Sequence, residues 1–236
     1  MQNIGLQIYT IRDFLQDDNA LQNAMDKIAA IGYREIQSYG TFEYNLKTAN
    51  AAKRAGLKVN GSVMDFMLCH ENLEELVKTC KVFDQAEIGI GFKKEELCDE
   101  ECFRTLLKTV REDSRKLAAE GVFFSYHNHD REMERFPDGK MILDVIFEEL
   151  SPEEMGFMPD TYWLQKGGLD VRHTLEVYGD RAKTLHLKDM KKLPEGTTYA
   201  EVGQGNLWWD GILETARRVG IRNYVVEQDF TDKDPL

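Results

Sequence analysis

Four times in this chain an amphipathic helical stretch runs into a glycine and a short apolar run follows at once. The sites are Gly32 in AAIGYREI, Gly56 in KRAGLKVNG, Gly121 in AAEGVFFSY and Gly220 in RRVGIRNYVV. A glycine just past a helix end takes up the left-handed backbone at low steric cost. Apolar runs without polar alternation are typical of strands covered on both faces, as in parallel sheets. The pattern therefore restricts the chain to helices alternating with parallel strands.

Strands are expected near residues 4–9, 34–38, 57–62, 86–90, 122–126, 156–160, 183–187 and 223–227. Helical stripes fall between them, such as Leu21, Met25 and Ile28, or Phe103, Leu106, Val110 and Leu117, and these face the core. LCHENLEEL reads as a helix start. Eight βα units in 236 residues match a (β/α)8 TIM barrel. A doubly wound open sheet would carry a glycine-rich turn after its first strand, and QIYTIRD has no glycine there. No linker, low-complexity tract or internal repeat divides the chain, so residues 1–236 read as one domain. Only QDFTDKDPL follows the eighth strand, so the barrel is expected to lack its last helix. The apolar surface this uncovers invites a partner chain, so a homo-oligomer is among the expectations.

The formal charge is −12, with 30 basic and 42 acidic residues, which argues against nucleic-acid binding. No apolar run reaches membrane-spanning length, and MQNIGLQIYTIRDF has no secretory pattern. A cytoplasmic location is the resulting expectation. Cys69, Cys80, Cys98 and Cys102 form no C-x-x-C pair. The run CDEEC is therefore read as two reduced thiols rather than a redox or zinc pair.

In such a barrel the chemistry sits at the C-terminal ends of the strands. The fifth strand ends in Tyr126-His127-Asn128-His129-Asp130, with Glu132 close behind. The sixth ends at Asp160, the seventh carries His186 and Lys188, and the eighth ends at Glu227. Four neighbouring strands thus each deliver an imidazole or a carboxylate to one rim. That mixture suits a divalent metal such as Mn2+, Zn2+, Co2+ or Mg2+. The expected ligands are His127, Asp160, His186 and Glu227, with His129 as the alternative on the fifth strand.

Side chains alternate along a strand, so Lys188 shares the face of His186. It either holds a substrate oxygen or exchanges a proton, or it is simply solvated. Glu227 is the first candidate for a ligand that doubles as base; His129, Glu132 and Lys188 are the others. Glu35 either lines the site or pairs with Arg34 or Lys58. Trp163 offers a face for a sugar ring, and Asn128 is a further candidate substrate contact. The loop EVGQGNLWWDG reads as a lid or a long connection. Its two glycines lack the third glycine and the strand context of a dinucleotide fingerprint.

YHNHDREM, PDTYWLQKGGLDV, KTLHLKDM, EVGQGNLWWDGIL and VVEQD together resemble the sugar phosphate isomerase/epimerase group. These are xylose-isomerase-like TIM barrels that also include endonuclease IV. The resemblance runs from IGLQIYTIRD to YVVEQD. It implies a metal held at the positions of His127, Asp160, His186 and Glu227. Many members carry glutamate on the fifth strand as ligand and second catalytic carboxylate, whereas this chain has His127. It also has Val171 where proline is common.

The expected activity is isomerisation or epimerisation of a small sugar or keto-sugar, by proton abstraction next to a metal-bound carbonyl. Loss of a β-hydroxyl would instead make the chain a dehydratase or lyase. A non-catalytic sugar-binding barrel is the alternative of another class. Phosphodiester hydrolysis would need more ligands and a basic groove, against five histidines and this charge.

Overall fold

The computed structural model describes residues 4–84, 86–97 and 99–236. Eight parallel strands form the sheet: β1 (Ile4–Gln7), β2 (Glu35–Tyr39), β3 (Lys58–Asp65), β4 (Glu87–Gly91), β5 (Phe123–His127), β6 (Gly156–Met158), β7 (Thr184–Leu187) and β10 (Asn223–Val226). Their order is β6-β5-β4-β3-β2-β1-β10-β7, and it curls into a nearly closed barrel. The two ends meet through single parallel bridges, Phe157 to Ala182 and Asp160 to His186. The His186 N–H donates to the Pro159 carbonyl at 2.9 Å. Thr161 clamps the same seam: its hydroxyl donates to the Lys188 carbonyl at 2.8 Å and accepts the Lys188 N–H at 3.0 Å.

Helices α1 (Asp18–Ile31), α2 (Phe42–Arg54), α3 (Phe66–Glu71), α4 (Leu73–Phe83), α5 (Glu100–Ala118), α6 (Ile142–Glu149), α7 (Thr161–Lys166), α8 (Val171–Tyr178) and α9 (Trp209–Val219) lie between the strands. Several begin where a side-chain oxygen accepts the free N–H groups of the first turn. Asp17 does so for α1, Thr41 for α2, Asp99 for α5 and Asp170 for α8. The four punctuating glycines all have positive φ, from +74° to +120°, as the sequence demanded. The LCHENLEEL segment holds two helices, because the backbone breaks at Asn72 between α3 and α4.

The core lies in the layer between strands and helices. Phe66 meets Phe92 and Phe124 edge-on, with ring centroids 5.7 and 6.0 Å apart, and Phe92 packs on Tyr126 at 5.1 Å. Inside the barrel Gln7 donates to Gln37 at 2.8 Å, and Gln37 approaches the Met158 sulfur. Gly89 makes room for this plug, since a Cβ there would stand 2.9 Å from the Met158 sulfur and 3.0 Å from Val63. The plug separates the two mouths of the barrel.

One element was not expected. Between the seventh barrel strand and α9 the chain forms an antiparallel hairpin, β8 (Asp189–Leu193) and β9 (Gly196–Ala200). Residues 227–236 form no helix, in line with the sequence reading. They run back over the turn after β1: Gln228 N–H donates to the Thr10 hydroxyl, Arg12 donates to the Asp229 carbonyl, and Leu236 packs with the Leu6–Ile8 cluster. Cys69 and Cys80 are buried free thiols; Cys102 is disulfide-bonded, which corrects the reading of CDEEC as two reduced thiols, and Cys98 lies outside the described residues. Among the described residues, no helix is long and apolar enough to cross a membrane.

Candidate active site

Parallel pairing carries the C-terminal ends of β5, β6, β7 and β10 to one rim, and the inward faces there hold His127, Asp160, His186 and Glu227. All four are buried, and one ligand atom from each lies within 4.8 Å of the others. His186 Nδ1 is 2.6 Å from Glu227 Oε2, while His186 Nε2 and His127 Nδ1 are buried with no hydrogen-bond partner. The His127 and His186 rings stand 4.5 Å apart.

Lys188 enters the cluster from β7's continuation. Its Nζ lies 3.1 Å from Asp160, 2.9 Å from Asp229 and 3.5 Å from Glu227. Burial disfavours its charge, but the three carboxylates outweigh burial and raise its pKa. Burial likewise opposes ionisation of Glu227, yet Lys188 and His186 hold its carboxyl well below the usual range. Burial, and then the neighbouring His186, push His127 down, so its imidazole is neutral. Burial lowers His129 to about 4, with Arg131 and Lys188 adding to it. Three carboxylates meet one ammonium and the His186 ring here, so acidic groups outnumber the cations that face them. Two unpartnered buried ring nitrogens beside that excess suit a divalent cation.

The cluster opens into a cavity of about 330 Å3 whose lining includes Gln7, Tyr39, His127, His129, Arg131 and Glu227. Trp163 stands beside it, 5.2 Å from the His129 ring, with the Lys188 ammonium 5.4 Å from its centroid. The hairpin brings Tyr199 over Tyr162, stacked at 4.3 Å, and towards Lys188.

Three expected residues are not brought to this cavity. Glu35 is the first residue of β2, so it faces the opposite mouth, where it accepts from Asn60. Asn128 is fully buried and points away from the barrel axis, accepting the Asp160 N–H at 3.0 Å; it braces β6 against β5. Glu132 is also fully buried: one oxygen accepts from the Tyr126 hydroxyl at 2.8 Å and the other from the His129 N–H at 2.7 Å. Both oxygens are engaged, so Glu132 sets the position of His129 instead of exchanging protons with a ligand. Burial raises its pKa and these two donors oppose that. Tyr126→Phe removes one of them. It is expected to cost about 1–3 kcal/mol in urea unfolding; a loss under about 0.5 kcal/mol would show that water replaces the hydroxyl.

Asp189 was overlooked as an organiser. Its Oδ1 accepts from the N–H groups of Met190 and Leu207. Its Oδ2 accepts from Gly203, Gly205 and the Trp209 indole at 2.9, 3.0 and 2.7 Å. A Cβ on Gly205 would lie 2.5 Å from the Met190 carbonyl, so the close wrap of the 201–207 loop around Asp189 needs glycine there. Tyr9, Tyr39, Asp65 and Lys93, which also line the cavity, follow or end the first four strands, whose C-terminal ends the sequence reading did not inspect; Arg131, another lining residue, lies between Asp130 and Glu132 after the fifth strand and was passed over there.

Residues 25–235 match the family described as xylose isomerase-like TIM barrel. The chain belongs to that family. No curated protein matches it significantly. Among solved structures, this xylose isomerase-like barrel is similar to a sugar phosphate isomerase/epimerase from Parabacteroides distasonis. The TM-score is 0.81 at 20% identity, over 98% of this chain and 88% of the other. The probable 3-DHS dehydratase AsbF of Bacillus anthracis superposes with a TM-score of 0.74 at 12% identity, over 98% and 94%. The IOLI protein, solved with a bound zinc atom, gives 0.73 at 13% identity over 97% and 89%. At these identities the likeness is one of fold.

Proposed function

We propose that this xylose isomerase-like barrel is a metal-dependent isomerase or epimerase of a small sugar or keto-sugar. The observation that carries the reading is the buried set His127, Asp160, His186 and Glu227, with two orphaned ring nitrogens and excess negative charge. Its mixed nitrogen and oxygen donors suit Mn2+, Zn2+ or Co2+ better than Mg2+. The zinc in the IOLI structure agrees with that choice.

A bound divalent ion supplies Lewis acidity towards a carbonyl and its neighbouring hydroxyl. The residues do the rest. Glu227 keeps one oxygen on His186 and lines the cavity, from where it takes the proton next to the carbonyl. Lys188, held protonated, donates to a substrate oxygen. His129, on the β5 side of the cavity, is positioned by Glu132 through its backbone and, kept neutral by burial, accepts a hydrogen bond from a substrate hydroxyl, while Glu227 returns the proton it took at the neighbouring carbon. Trp163 and Tyr199 screen this end from water.

A second reading rests on the fifth strand. His127 stands where a second carboxylate would, so two opposed carboxylate bases are not assembled around the cavity. One carboxylate base with a lysine donor also suits loss of a β-hydroxyl, and the Bacillus anthracis neighbour is consistent with that dehydration.

The test is metal content of protein purified without chelator, for wild type and His186→Ala, followed by a keto-sugar screen. About one divalent transition metal per chain is expected, lost in the variant. A wild type that takes up no Mn2+, Zn2+ or Co2+ overturns the reading.

A further inference from the structure

The metal end of the cavity leaves its mouth unexplained. Two cationic side chains line that mouth, Lys93 and Arg131. Lys93 is tied to Asp65 at 2.9 Å. Arg131 is half-buried, and among the described residues no hydrogen bond or ion pair engages its guanidinium. Its neighbour Asp130 is held instead by Lys166 at 2.9 Å. A second guanidinium stands close by: Arg12 stacks on Tyr9, a lining residue, at 4.3 Å. It donates only to the backbone carbonyls of Tyr9 and Asp229, so no carboxylate neutralises it.

Acidic residues outnumber basic ones by 42 to 30, so partners for an arginine are plentiful elsewhere on the surface. A partly desolvated guanidinium beside a cavity, with no carboxylate in ion-pair contact, is matched to a group that arrives from outside. Arginine presents a planar fork of donors that fits phosphate and carboxylate oxygens two at a time. A cavity of about 330 Å3 takes a small molecule with one reacting end and one end group.

We infer that Arg131 holds an anionic end group of the substrate, a terminal phosphate or carboxylate, so that the site selects acidic keto-sugars over neutral ones. The inference rests on the proposed function and names the substrate class of the same site. Arg131 sets specificity through a contact remote from the reacting carbon. Binding energy realised there positions the other end against Glu227 and Lys188.

The test reads binding, not turnover, by calorimetry on metal-loaded protein. The probes are fructose, fructose 6-phosphate and fructuronate, which share a ketose frame and differ in the end group, with inorganic phosphate as competitor. Wild type is expected to bind one of the two anionic sugars about tenfold or more tighter than fructose. Which one wins tells phosphate from carboxylate. Arg131→Ala is expected to lose that preference while fructose binding and metal content stay unchanged. Arg131→Lys is expected to keep part of it, since the charge remains and the fork is lost. Equal affinity for all three sugars, binding of none of them, or an undiminished preference in Arg131→Ala overturns the inference. Metal content of the same samples separates the two failures. Protein that holds metal without preferring an anion leaves the proposed function standing, whereas protein that holds no metal removes both.

Discussion

Asp189→Ala is expected to lower stability by about 4 kcal/mol and to open the segment 190–207 to proteases. The side chain is fully buried and accepts from five donors spread over residues 190–209. Alanine leaves all five without their acceptor, and a buried donor left unpaired costs about 1–3 kcal/mol. The sum is not additive, because the loop relaxes towards water once freed. Asp189→Asn sharpens the test. An amide keeps one oxygen and turns an NH2 towards the other donors. It therefore serves either the Met190–Leu207 pair or the Gly203–Gly205–Trp209 trio, never both. Asparagine is expected to recover less than half of the loss in urea unfolding. Nearly complete recovery would mean that the two oxygens are not used separately. The same variants would disturb Tyr199, whose hairpin is anchored at Asp189, and so loosen the wall beside Lys188.

How much of this could be read from the sequence follows from geometry. A parallel barrel sends the C-terminal ends of its strands to one rim, so residues at those ends meet whatever their separation in sequence. That is why His127, Asp160, His186 and Glu227, a hundred residues apart at the extremes, were legible as one group. The same rule applied to position along the strand places Glu35 elsewhere, because it begins β2. Alternation, which was used to set Lys188 beside His186, equally turns Asn128 away from the cavity that His127 faces. Glu132 was not legible, because its role depends on the Tyr126 hydroxyl on the outer face of β5. The hairpin left a signal in Pro194-Glu195-Gly196 between two short runs, one of them Thr-Thr-Tyr, which is turn chemistry. The convergence of residues 190, 203, 205, 207 and 209 on one carboxylate left none. It is a fact of the folded loop and has no period or spacing of its own.

Lys188→Met is expected to cost about 3–5 kcal/mol in the presence of chelator, a fall in Tm of roughly 10 °C for a chain of this size. The lysine is 1% exposed and its ammonium is the cation among Asp160, Glu227 and Asp229. Methionine fills much the same space and removes the charge, so two buried carboxylates and the half-buried Asp229 are left facing one another. The dependence on pH has a definite sign. Burial raises Asp160 and Asp229 above their usual range even with Lys188 lowering them, and without the lysine they rise further. A group whose folded pKa is raised favours the folded state at low pH and loses that contribution as pH climbs through its folded value. The penalty of the substitution is therefore expected to be smaller at about pH 5 than at about pH 8. Mn2+ or Zn2+ is expected to restore part of the stability, because an ion bound only by the folded cluster stabilises it by mass action. His186→Ala, which removes a ligand and leaves the lysine, is expected to lose stability in chelator as well, because buried Glu227 loses its hydrogen-bond partner, and to show no response to metal. A Lys188→Met protein that melts with wild type in chelator would mean that water, rather than the ammonium, compensates these carboxylates. The excess of carboxylates over cations, on which the cation site rests, would then fail with it.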